Sequence, residues 1–145
     1  MQTIASLSLI PSQDASTQAL AWLETIVEQQ QWPARTGHKL GLCLDEALTN
    51  VVRYGYTDPQ YNSNPHIKLV ALQQGQMVLL DIIDNGLPFD PTQQTIAPLA
   101  ATLDDAHIGG HGLRLMRHYL QDLQYHRTDQ HNHLRLVAAL DPIDA

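Results

Sequence analysis

Glu46 and Asn50 lie four residues apart in the stretch Asp45-Glu46-Ala47-Leu48-Thr49-Asn50. If that stretch is helical, four steps of about 100° bring the two side chains to within roughly 40° of each other, on one side of the helix. An amide oxygen can ligate a hard cation such as Mg²⁺, and a carboxylate one turn earlier can take a proton from a nucleophile. A second group, Asp84-Asn85-Gly86-Leu87-Pro88-Phe89-Asp90, follows an apolar run. A strand-end carboxylate can accept a hydrogen bond from an adenine amino group, and Gly86 lets the backbone approach a flat base without a Cβ in the way. The third group is Gly109-Gly110-His111-Gly112-Leu113. Glycines before a helix leave backbone N–H groups free to receive phosphate. It is not a P-loop, since no Lys-Ser/Thr follows, and the dinucleotide pattern fails at Leu115. Taken singly, the three groups are equally an ordinary solvated helix face, a turn and a linker.

The elements that would position these residues can be read from periodicity. Residues 3–10 alternate loosely and stop at Pro11, which suits a short edge strand. Ser12 and Asp14 offer N-caps for a helix in which Ala19, Leu23 and Ile26 share a face, as far as Trp32 before Pro33. A second helix is expected over about 35–54, with Leu40, Leu44, Ala47, Leu48 and Val51 as its apolar stripe. Residues 56–65 form a polar loop, 66–72 a strand, and 73–76, with Gly75, a hairpin turn. The nearly continuous apolar run 77–83 suggests a central strand covered on both faces. Residues 92–108 carry no clear period and read as a long loop. A helix from the glycines to about Leu123 and a last strand over 134–140 complete the chain. This order predicts an α/β (α+β) two-layer sandwich: a mixed, largely antiparallel sheet with helices on one face.

Bulk properties narrow the function classes. A length of 145 residues suits one domain, expected over 1–145, and 43% hydrophobic content provides a core. Eight Lys and Arg against fifteen Asp and Glu give a net charge of −7, so no direct nucleic-acid partner is expected. The one cysteine, Cys43, excludes an internal disulfide and sits in an apolar helical pattern, which suits a small buried hydrophobe. No apolar run is long enough to span a membrane and the N-terminus has no secretory pattern, so the expected location is the cytoplasm.

Together and in this order, the three groups resemble the Bergerat-fold ATP-binding domain of the GHKL superfamily. Within it, Glu46-Ala-Leu-Thr-Asn50-Val-Val-Arg-Tyr-Gly-Tyr56, Asp84-Asn-Gly-Leu-Pro-Phe-Asp90 and Gly109-Gly-His-Gly-Leu-Arg-Leu-Met116 look most like the anti-sigma factor serine/threonine-protein kinases. The resemblance covers about 12–140. It implies that Asn50 coordinates Mg²⁺ on the ATP phosphates and that Glu46 is the general base for a partner's serine. It also implies that Asp84 binds the adenine amino group with Gly86 beneath the base. Gly109, Gly110, His111, Gly112 and Leu113 would cradle the phosphates under a lid of about 91–109. The implied partners are a STAS-domain antagonist and a sigma factor or similar client, and family members commonly form homodimers, for which the first strand is a candidate edge.

The chain departs from the pattern in two places. The family often has His where Tyr54 stands. Its last strand usually begins Gly-Thr, the Thr helping to hold adenine, whereas here the region reads Gln130-His131-Asn132-His133. His111 and Arg114 would lie near the phosphates and either could supply positive charge there. Two other functions stay open: an ATP-gated protein-binding module without phosphoryl transfer, and a histidine kinase catalytic domain. The latter is less favoured, because its usual phosphoacceptor helices have no room upstream of Ser12.

Overall fold

The expected apolar stripe Leu40, Leu44, Ala47, Leu48 and Val51 is buried along a 22-residue helix, which the computed structural model extends over Ala34–Gly55. The structure describes residues 1–93 and 110–140, with side chains from Leu113 onward in the second segment. In chain order the elements are β1 (Gln2–Leu9), α1 (Ala15–Gln30), α2 (Ala34–Gly55), β2 (Ile67–Gln74) and β3 (Met77–Asp84). A 3-10 turn (Pro91–Gln93), α3 (Gly110–Tyr119), β4 (Asp122–Arg127) and β5 (Asn132–Ala139) follow. The five strands form one sheet in the order β1-β2-β3-β5-β4, antiparallel at every pairing.

Alternation along the strands separates two layers. Ile67, Leu69 and Ala71 of β2, Val78, Leu80 and Ile82 of β3, and Leu134, Leu136 and Ala138 of β5 join the helices in one core cluster. From α1, Ala19, Leu23 and Ile26 enter that cluster, as their spacing indicates. Leu113 and Met116 bring α3 onto the same core. Each fully buried Leu or Ile there contributes about 1.5–3 kcal/mol relative to exposure.

Three expectations need correction. The run 77–83 is central, but helices do not cover both its faces. Met77, Asp81 and Ile83 are only half-buried, and Asp81 holds Arg135 of β5 through two bonds of 2.7 and 2.8 Å on the face away from the core cluster. A continuous apolar run can therefore be an alternating strand whose outer side is merely less polar. The last helix stops at Tyr119 rather than near Leu123. Gln121 N–H bonds Val137 O at 2.8 Å, and residues 122–127 become β4, with Leu123 and Tyr125 turned inward. Asp14 does precede α1, but its side chain makes no capping bond, and Ser12 Oγ instead accepts the Asp14 N–H at 3.2 Å.

β1 is an edge strand, and a register irregularity between Thr3 and Ala5 interrupts its ladder with β2. Gly75, at φ +59°, occupies the first turn position between Gln74 and Met77, where a two-residue hairpin needs a residue with positive φ. Trp32 is buried, and Trp22 packs at the edge of the core, as packing residues should. Cys43 is fully buried, and that burial pushes its thiol up to about 12, which makes it an inert core residue. Among the described residues no helix is long and apolar enough to cross a membrane.

Candidate active site

The sheet register brings two of the three nominated groups together. Asp84 ends β3 and faces Ile67 of β2 on one side and Asn132 of β5 on the other. The helix α2 crosses above that end of the sheet. A narrow cleft there is lined by Ala47, Asn50, Val51 and Gly55 of α2, by Asp84, and by Phe89, Pro91, Tyr125, Asn132 and Leu134. Its volume is about 10 Å³, room for roughly one water. A nucleotide base needs this cleft to widen, and Phe89 and Pro91, in the segment after β3, form one wall of it. Behind that wall Tyr54 stacks on Phe89, with ring centres 4.9 Å apart. A larger cavity of about 480 Å³ between α1 and α2 shares no residue with this cleft and carries none of the nominated residues.

Asp84 is 3% exposed, and its Oδ1 accepts the Gly86 N–H and an Asn132 amide N–H, both at 2.9 Å. Burial raises its carboxyl above the ordinary value, opposed first by the Asn132 bond, then by the Gly86 N–H and by Arg127 and His131. Asn50 is 4% exposed, and its amide nitrogen has no partner among the described residues. A buried NH₂ without a partner is costly unless an acceptor completes it, so the amide nitrogen fits an acceptor such as a phosphate oxygen, and only the amide oxygen could ligate a cation. Glu46, one turn earlier, is half-buried outside the cleft lining, and burial followed by the Asp45 charge raises its carboxyl. Gly110, His111 and Gly112 form the first turn of α3, and the Leu113 side chain is in the core. Gly109 and residues 94–109 of the expected lid lie outside the described residues.

Gly86 has a structural reason that its sequence neighbours do not reveal. A Cβ there would stand 2.6 Å from Gly55 O and 2.9 Å from Gly55 C and Cα, all backbone atoms. The Leu87 N–H bonds the same Gly55 O at 2.8 Å, so the Asp84–Gly86 turn is fastened to the C-terminus of α2.

Several other residues hold this turn, and their composition alone gave no sign of it. Asn85, 8% exposed, accepts the His66 N–H at 3.0 Å and donates to Asn64 O at 2.9 Å. The Tyr56 hydroxyl lies 2.9 Å from both His66 O and Asn85 Oδ1 and accepts the Asn85 N–H at 3.1 Å. Asn62 donates to Asn85 O. Arg127 of β4 donates to Gly86 O at 2.8 Å and to the Tyr61 hydroxyl at 3.1 Å. The polar loop 56–66 is thus a bracket for the turn. Tyr56→Phe removes one hydroxyl from this half-buried network, and we expect a loss of about 1–2 kcal/mol in urea unfolding.

The sequence matches the model of the histidine kinase-like ATPase domain over residues 10–138. The chain belongs to that family. It is 45% identical over 137 residues to the serine/threonine-protein kinase BtrW of Bordetella bronchiseptica, covering 94% of each chain. Its fold resembles that of the RsbU and RsbW domains of a Mycobacterium tuberculosis protein, with a TM-score of 0.62 at 14% identity over 95% of this chain. It also resembles a blue-light activated histidine kinase from Erythrobacter litoralis, with a TM-score of 0.56 at 16% identity over 75% of this chain. The chain spans about a third of each of these two structures, 33% and 32%. The relation to the GHKL serine/threonine kinases, which the three motifs indicated, therefore holds.

Proposed function

We propose that this chain is an ATP-dependent serine/threonine-protein kinase of a partner-switching system. Its substrate would be a serine of a small STAS-domain antagonist, and its client a sigma factor or a similar regulator. The observation that carries the proposal is the meeting of Asp84 and Asn50 in one cleft, with Glu46 one turn along the same helix. Kinship with BtrW over 94% of both chains supports the kinase class.

In this reading Asp84 accepts the adenine amino group, and Asn50 presents its amide to the metal–phosphate group. Bound Mg²⁺ supplies charge neutralisation at the phosphates. The N–H groups at the start of α3, from Gly110 to Leu113, receive phosphate oxygens, favoured by the helix dipole. Glu46 takes the proton of the attacking serine hydroxyl as that oxygen bonds to phosphorus and ADP leaves. Its raised carboxyl suits that task, because a base whose pKa lies nearer the working pH transfers protons more effectively. The edge strand β1 offers a pairing surface for a homodimer.

Calorimetric titration of Mg-ATP tests the nucleotide site. We expect wild type to bind and Asn50→Ala to lose at least about tenfold in affinity in the presence of Mg²⁺, with little difference in EDTA. Wild type that ignores ATP would overturn the proposal.

A further inference from the structure

The amide of Asn132, the first residue of β5, has all its hydrogen-bonding capacity engaged. Its nitrogen donates to Asp84 Oδ1 at 2.9 Å and to Leu87 O at 2.8 Å. Its oxygen accepts the Tyr125 hydroxyl at 2.5 Å and the Phe89 N–H at 3.4 Å. Asn132 is 4% exposed, so these four protein groups fix which way the amide points. Flipped, its oxygen would face two acceptors and its NH₂ the Phe89 N–H.

This arrangement constrains Asp84. Its Oδ1 receives two donors, Asn132 and Gly86, and cannot itself carry a proton. Oδ2 is left as the oxygen without a partner among the described residues, on a residue that lines the cleft. While Asp84 is ionised, Oδ2 can only accept, which suits an exocyclic amino group. Were Oδ2 protonated it would donate, which suits the carbonyl of an oxo-purine. We infer that Asn132 is a positioning residue that makes this site select 6-amino over 6-oxo purine nucleotides, by holding Asp84 as an oriented, accepting carboxylate. The inference rests on the nucleotide reading above and goes one step further, to the residue that sets base specificity.

Burial works against this state and Asn132 is the largest influence for it, so removing the amide also moves the pH at which Asp84 ionises upward. An amino-purine then binds well only at higher pH. Tyr125 acts through Asn132, since its hydroxyl orients the amide oxygen.

The test is calorimetric titration of Mg-ATP and Mg-GTP into wild type, N132L, N132T and Y125F between about pH 5.5 and 8.5. Wild type should prefer ATP. N132L should lose about tenfold or more of that preference, and its ATP affinity should fall away at a higher pH than in wild type. N132T keeps a hydroxyl able to donate to Asp84 and should recover most of both. Should N132L fail to fold, Y125F carries the test, with a smaller change in the same two readouts. Wild type that selects ATP, with an N132L (or, failing it, a Y125F) that keeps the same ratio and pH profile, overturns the inference alone. Wild type that binds neither nucleotide overturns the nucleotide reading and the inference together.

Discussion

Glu46→Gln is expected to lower phosphoryl transfer by about 10²–10⁴-fold while leaving ATP affinity nearly unchanged. Glutamine keeps the size and most contacts of the side chain but cannot accept the hydroxyl proton. Glu46 lies outside the lining of the Asp84 cleft, so nucleotide binding should survive. Transfer of label from γ-labelled ATP to a purified STAS-domain partner, beside an ATP titration, gives both quantities. The pH profile adds a second readout. Burial first, and Asp45 next, raise the Glu46 carboxyl. A general base must be ionised, so transfer falls as pH drops through a value above the ordinary 4.5 of a glutamate. Asp45→Asn removes the neighbouring charge and should move that midpoint down. An E46Q protein that transfers phosphate at the wild-type rate removes Glu46 from the chemistry. If neither protein transfers phosphate but ATP still changes partner binding, the chain is an ATP-gated module.

The first two helices and their buried faces were legible because each carries a helical repeat with a local stop: α2 ends at Gly55, and α1 ends before Pro33. Asp84 and Asn50 were nominated only through the order of the three motifs, since taken singly they read as a turn and a solvated helix face, and it is the fold that lines one cleft with both. β4 was not legible. Its inward residues, Leu123 and Tyr125, follow an amphipathic helix almost without punctuation, and a short edge strand is defined by its pairing with β5, which no local pattern encodes. The same limit applies to the bracket around the Asp84 turn. Tyr56, Asn62, Asn64 and His66 look like loop polarity, and only the fold carries them to Asn85. Asn132 lay unremarked within the stretch 130–133 that departs from Gly-Thr, before the strand expected over 134–140, and only the β3–β5 register sets it opposite Asp84.

Gly86→Ala is expected to destabilise the fold by about 2–4 kcal/mol and to weaken ATP binding with it. A flat base near Gly86 and close backbone packing both explain a glycine at this position, and they predict different things. The added Cβ meets Gly55 O at 2.6 Å, and neither partner is a flexible side chain. Relief requires the turn to lift from α2, which breaks the 2.8 Å Leu87–Gly55 bond and displaces the Asp84 carboxylate fixed by the Gly86 N–H. The loss should therefore appear in urea or thermal unfolding without any nucleotide. Two control variants calibrate it. In Gly75→Ala the Cβ meets nothing within 4 Å but the φ of +59° is unfavourable, so about 1 kcal/mol is lost with no effect on ATP. In Gly55→Ala the nearest atoms, Asp84 Oδ1 and Gly86 Cα, stand at 3.7 Å, an ordinary contact, so the change should be small. If G86A unfolds like wild type yet no longer binds ATP, the glycine serves the base alone. If it unfolds early and loses ATP in proportion, the same close approach that fastens the turn to α2 also positions Asp84 for the base.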